Sequence, residues 1–241
     1  MSSQAGFPLL TLITFFPLLG AAVLLFVDRE KKEMIRWITL LVALLEFLFS
    51  LPLFFNFRLD TGAMQFVEKV PWIPDYGITY YLGIDGISLF LVLLTTLLTF
   101  VSVMACWKDI QDKVKGFMIC VLFLETGMIG VFASLDLFLF YVFWEVMLIP
   151  MYLLIGVWGN PKRRIYAAVK FFIYTMVGSV LMLVAILVLY FHNGAATGKY
   201  TFDLLQLYNL QVARDLQVCL FLAFGLAFAI QVPMFPFHTW L

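Results

Sequence analysis

The chain has 241 residues, 64% of them hydrophobic and only 12% charged, with 15 Lys and Arg balanced by 15 Asp and Glu. Its mean hydropathy of +1.03 excludes a soluble globular protein and indicates an all-α integral membrane protein. The cancelled charges sit in loops, and the absence of a basic tract or RNA-binding motif argues against a nucleic-acid partner.

The N-terminal MSSQAGF lacks the basic region and cleavage site of a signal peptide, so the apolar run Phe7 to Val27 is expected to be retained as a first span. A charged run, Asp28 to Arg36, ends it. Ile35 to Phe57 is the second predicted span and contains Glu46 and Pro52. Arg58 to Tyr81 alternates polar and apolar residues and holds Pro71, Pro74 and Gly77, the pattern of a surface hairpin or irregular cap. The third span is expected over Leu82 to Trp107. Within its opening GIDGIS, Asp85 lies three residues before Ser88, the spacing of a helix N-cap. The fourth, Gly116 to Ser134, carries Glu125, and only Leu135-Asp136 separates it from the next run.

Asp136 to Trp158 is the fifth span; at 1.5 Å per residue its 23 residues reach roughly 34 Å, enough to cross a bilayer core of about 30 Å. Glu145 falls near its middle, where an ionised acid costs about 3 kcal/mol. That side chain needs a polar partner, water or a proton of its own. Pro150 has no N–H to give the carbonyl of Val146, so a freed backbone group is expected beside the acid. Ala167 to Phe191 is the sixth span, with Lys170 one turn inside, and the following FDLLQLY is amphipathic, suited to lying along a membrane. The seventh begins near Leu216, and Pro233 and Pro236 should break it. Gln231 and His238 bracket that break. Gln231 can order water but holds no charge, and His238 either relays protons or bonds a freed carbonyl.

Alternate loops at 28–36, 108–115 and 159–166 hold ten Lys and Arg, and the opposite set, Arg58, Lys69, Lys199 and Arg214, holds four. The positive-inside rule then puts the N-terminus on the outer, periplasmic side and the end of the seventh span inside. Ionisable residues within spans are functional candidates by default, which singles out Glu125, Glu145 and Lys170. Glu46 reads better as a helix–helix hydrogen-bond partner. Cys106, Cys120 and Cys219 lie far apart in apolar runs, and neither a Cys/His ligand spacing nor a nucleotide-binding motif is present. Redox chemistry within this chain is therefore not expected.

The stretches FLETGMIGVFASLDLFLFYVFWEVMLIPMYLLIGVWG, RRIYAAVKFFIYT and FAIQVPMFPFHTWL, with LGIDGIS upstream, closely resemble the antiporter-like membrane subunits of proton-translocating NADH:quinone oxidoreductase, the M type in particular. The resemblance covers nearly the whole chain. It implies a fold of inverted repeats about twice this length, with residues 1–241 a single transmembrane domain ending within the broken seventh helix of the first repeat. It also implies a glutamate on the fifth helix, at Glu145, paired with a lysine on the seventh. This sequence has Gln231 at the lysine position, a departure that leaves two readings open: a variant compensated elsewhere, through Lys170 and Glu125, or a copy with weakened pumping. The implied role is that of a non-redox translocase subunit in an energy-transducing inner membrane, working with other membrane subunits, lipid, protons and water. NADH, FMN, iron–sulfur clusters and quinone are then expected in partner subunits, with no cofactor bound here. The alternatives are a subunit of a multisubunit cation/proton antiporter or of a related membrane-bound hydrogenase, and a structural remnant.

Overall fold

The protein is described by a computed structural model covering residues 7–240. The reading of MSSQAGF lies almost wholly outside the described residues. Among the described residues seven helical spans are long and apolar enough to cross a membrane: Leu9–Phe26, Lys32–Phe55, Gly86–Ala105, Val114–Ala133, Leu137–Trp158, Arg164–Thr197 and Arg214–Gln231. This is a multi-pass membrane protein, as the run lengths and hydropathy predict. The helices fall into two compact units. One runs through Val70 and resumes over Tyr81–Ser134; the other comprises Pro71–Tyr80 and the chain from Leu135 onward.

In the first unit α1 (Leu9–Phe26), α2 (Lys32–Phe55), α3 (Gly86–Ala105) and α4 (Val114–Ala133) pack together. Ala21, Leu24, Ile35, Val103, Val114, Met118 and Leu122 form a buried cluster at one end. Gly20 permits the close approach of α1 and α2: a Cβ there would lie 2.6 Å from a Val42 methyl group. Helix ends leave backbone groups without an intrahelical partner, and here side chains from distant segments meet them. Pro8 supplies no side-chain cap to α1, and Glu68 accepts instead from the N–H of Leu10 at 2.7 Å and of Thr11 at 3.0 Å. At the other end of α1, Lys115 donates to the carbonyls of Leu25 and Val27, both at 2.9 Å, placing a cation at a helix C-terminus.

The 58–81 connection contains the expected hairpin, β1 (Gln65–Ile73) paired with β2 (Ile78–Ile84). Its turn needs Gly77, at φ +65°, where a Cβ would also strike the carbonyl oxygen of Tyr200. β2 takes Leu82 to Ile84, which were expected to begin the third span. The apolar LGI fits either structure, and Asp85 decides where the helix starts. Its carboxylate accepts from Ser88 N at 2.7 Å and Ile87 N at 3.1 Å, while Ser88 Oγ accepts from Asp85 N.

In the second unit α5 (Leu137–Val146) and α6 (Leu148–Trp158) form one crossing parted at Met147, whose φ −66° and ψ −26° stay helical. Pro150 accounts for the interruption: Val146 loses its donor, and the next bond, Met151 N to Met147 O, is long at 3.3 Å. At 34 residues α7 (Arg164–Thr197) is about 51 Å long, more than a bilayer core requires. Its far end carries Tyr190, which stacks on Phe202 at 4.2 Å and donates to the carbonyl of Tyr76 at 3.1 Å. The FDLLQLY segment forms the single turn α8 (Leu204–Leu207), and Phe202 and Leu207 are buried in the unit, not turned outward along a membrane face. It is joined to the α5 entrance by Leu137 N to Phe202 O and Leu204 N to Leu135 O, both 2.9 Å. Asp136, fully buried at the centre of this junction, caps α5 through Phe138 N and Leu139 N and accepts from Thr79 N at 2.9 Å and Thr79 Oγ1 at 3.0 Å.

The backbone N–H of Ser88 is the main reason the Asp85 carboxyl is held below its usual range. Such a cap contributes stability above the ordinary Asp range and loses it as pH falls through and below that range. Asp85→Ala should cost about 1 kcal/mol at neutral pH, with the difference from the parent vanishing in acid, as read by thermal unfolding in detergent. Asp136→Ala strips the acceptor from several buried donors and should cost about 3 kcal/mol in the same assay.

Candidate functional site

Glu145 sits on α5 one residue before Val146, whose carbonyl loses its donor to Pro150. The side chain is half-buried, and its Oε1 is fully buried without a hydrogen-bond partner. Tyr141, one turn earlier on the same face, lies within electrostatic reach of both Glu145 and Ser179 of α7. Ser179 Oγ is likewise buried and unpartnered. An acid, a phenol and a hydroxyl thus converge where α5 packs on α7. Trp144, beside Glu145, packs its ring 5.6 Å from Phe228 of α9 (Arg214–Gln231), three residues before Gln231.

The break after α9 follows from its prolines. Pro233 has no N–H for the carbonyl of Ala229, which takes Met234 N at 2.8 Å; the carbonyl of Ile230, left over by that shift, takes Trp240 Nε1 at 2.7 Å. His238 therefore caps neither of these carbonyls; it is exposed and stacked on Phe235 at 5.7 Å. The half-buried Gln231 is the last residue of α9. Lys170, expected one turn inside the sixth span, lies in the second turn of α7 and donates its ammonium to the carbonyl of Thr239, beyond the break. It is a tether between α7 and the chain after α9, bonded to backbone and not to a membrane carboxylate.

Glu125 belongs to the first unit. It is fully buried on α4, both carboxylate oxygens lack a hydrogen-bond partner, and Thr99 of α3 is beside it. The expectation that Glu46 serves as a helix–helix hydrogen-bond partner is overturned: it is fully buried on α2 with neither oxygen bonded, and the group within Coulombic reach is Glu125. The physical reason is that the hydroxyls of Thr95 and Thr99 on the neighbouring α3 are committed to backbone, Thr95 to Leu91 O and Thr99 to Thr95 O. Sequence reasoning passed over Tyr141, Ser179 and Asp136. The spacing Tyr141 to Glu145 was the available signal for the first. Burial pushes the Asp136 carboxyl up from its usual range, and hydrogen bonds from Thr79, Leu139 and Phe138 pull it partly back. Among the described residues no three His, Cys, Asp or Glu side chains converge as metal ligands.

A helical fold with acids and a proline break inside its spans fits the antiporter-like membrane subunits, and sequence and structure matches point to the same class. Residues 134–241 match the family described as NADH:quinone oxidoreductase/Mrp antiporter, TM. NADH-ubiquinone oxidoreductase chain 4 of Chondrus crispus is 44% identical over 232 residues, 96% of this chain and 46% of that one. NADH-quinone oxidoreductase subunit M of Rhodobacter capsulatus is 44% identical over 250 residues, covering 97% of this chain and 47% of its own. A chain of respiratory complex I from Thermus thermophilus with bound NADH superposes with a TM-score of 0.81 at 31% identity, over 96% of this chain and 46% of that chain. These matches bear out the resemblance read from the sequence: over nearly its whole length the chain is similar to proteins of the subunit M, or chain 4, type. It spans about half the length of the curated relatives it matches.

Lys170→Met removes a charge-assisted bond and should loosen the segment after α9 by about 2 kcal/mol. Faster amide hydrogen exchange over residues 232–240, with α1 to α4 unchanged, is the expected readout.

Proposed function

We propose that this chain is a proton-translocating membrane subunit of a respiratory NADH:quinone oxidoreductase, in an energy-transducing inner membrane with its N-terminus on the periplasmic side. The observation that carries the reading is the Glu145 carboxyl, with one oxygen buried and unpartnered within a span whose backbone is interrupted two residues later. A carboxyl in that position takes up and releases a proton at a cost set by the water and dipoles around it. The neighbouring Tyr141 and Ser179 support the reading, as groups that would pass that proton or hold a water for it. Electron transfer by NADH, flavin, iron–sulfur and quinone chemistry belongs to partner subunits, and this chain is driven through its contacts with other membrane subunits.

In this reading Glu145 loads the proton and Gln231, Lys170 and His238 serve the route at the end of α9, with Glu125 a proton-transfer group of the first unit. Gln231 cannot bias the charge of Glu145 as a lysine would. Lys170, bonded to the carbonyl of Thr239, supplies a positive charge next to the break. A second reading, a subunit of a cation/proton antiporter, is favoured by the family description that joins both kinds of protein.

Glu145→Gln keeps the shape and removes the titrating group. Proton translocation per electron in native membranes should fall about tenfold or more with assembly intact. Full pumping by a correctly assembled variant would remove Glu145 from the mechanism, and sodium-driven proton exchange without any NADH-linked pumping would favour the antiporter.

A further inference from the structure

We propose that the end of the first unit where α2 begins and α3 stops binds one aminophospholipid molecule, its phosphate and ammonium held by charged side chains of α2 and one acyl chain lying against two indoles. Two cavities joined at Glu33 mark the place. A polar one of about 460 Å³ is lined by Glu30, Lys31, Lys32, Glu33, Arg36 and Gln111. An apolar one of about 350 Å³ is lined by Glu33, Trp37, Leu40, Met104 and Trp107. The Trp37 and Trp107 rings meet edge to face at 5.1 Å, yet Trp37 is 62% exposed and Met104 44%. Indoles near the ends of two spans stand where a bilayer interface favours such rings.

The lining changes along the helices in the order a phospholipid requires. Charges stand at 30–33, the indoles follow at 37 and 107, and Leu40 and Met104 lie one turn deeper. From Lys32 to Leu40 is about 12 Å of helix, and the polar layer on each face of a bilayer is roughly 5 to 8 Å deep, so the apolar cavity reaches the first methylenes. The charges are of both signs. Lys31 is exposed, and Lys32 gives one N–H to the carbonyl of Gln111 at 2.8 Å, which leaves it two for a phosphate. Arg36, by contrast, is buried and tied to Glu33, Ile110 O and Gln111, so it holds the wall in place. Glu33 accepts from Arg36 through Oε1, and its side chain is 65% exposed, which leaves Oε2 for a cation. A headgroup carrying phosphate alone would face the Glu30 and Glu33 carboxylates unanswered. A primary ammonium answers them: it donates to Glu33 while the phosphate oxygens accept from Lys31 and Lys32. Free phosphate makes no use of the indole groove, and a trimethylammonium has no N–H to give.

The site stands independently of the transport reading, because none of its residues is placed on the proton route. The test is native mass spectrometry of the purified full chain in a neutral detergent, titrated with phosphatidylethanolamine, phosphatidylcholine or phosphatidylglycerol of identical acyl chains. One phosphatidylethanolamine should bind saturably and about tenfold more tightly than either of the others. Lys31→Met should weaken it about tenfold, and Trp37→Ala should weaken all three lipids. Glu33→Gln should erase the preference for phosphatidylethanolamine over phosphatidylglycerol. Glu33→Asp, which keeps a carboxylate against Arg36, should retain that preference and covers the case of a glutamine variant that loosens the loop. Equal binding of the three lipids, tighter binding of phosphatidylglycerol, or variants that bind as the parent does would overturn the proposal. So would displacement of the lipid by inorganic phosphate, which would mark an anion site without the groove. Side chains of another subunit filling the groove in a structure of the assembled complex would overturn it as well.

Discussion

Everything in this molecule answers to the cost of an unmatched polar group where water is scarce. The backbone meets it by forming helices, and where a helix must end or break, a donor or acceptor is brought in from elsewhere. Glu68 reaches the start of α1, Lys115 its end, Asp136 the start of α5, and Trp240 Nε1 a carbonyl freed before Pro233. Side chains distant in sequence do this capping, so the same contacts that satisfy the helix ends also hold each unit together.

Against that thoroughness, the acids within the spans are exceptions. Glu46, Glu125 and Glu145 leave five carboxylate oxygens buried without a partner, although hydroxyls lie close by. A structural acid in lipid is normally tied down by hydrogen bonds, as Asp136 is at the edge of α5. Acids left untied are free to change protonation without breaking the fold. Asp136 and Glu145, nine residues apart on one crossing, stand in contrast: the first is held by hydrogen bonds and the second leaves an oxygen untied.

Much of the architecture was legible in the sequence, because span length and hydropathy are local properties. The seven spans were placed within a few residues at most ends, the Asp85 cap followed from its spacing to Ser88, and Pro150 and Pro233 marked where helices are interrupted. What escaped depends on register between segments. Thr79 meets Asp136 across 57 residues, and the burial of Glu46 and Glu125 depends on how α2 and α4 are rotated, which no periodicity in either fixes. The third span was started early because Leu82 to Ile84 are as apolar as a helix would be, and their strand pairing is with residues before Gly77. The backbone interruption beside Glu145 and the break after Gln231 were foreseen, whereas Lys170 finding a backbone carbonyl and Glu46 lacking any hydrogen bond were not.

The central claim is that the Glu145 carboxyl is kept wet inside the membrane. An experimental structure of the protein in a lipid nanodisc, at a resolution that reveals ordered water, examines it directly. The account predicts water hydrogen-bonded to Glu145 Oε1 and continuing toward Tyr141 and Ser179. A carboxyl packed dry against acyl chains, with no water leading away from it, would contradict it.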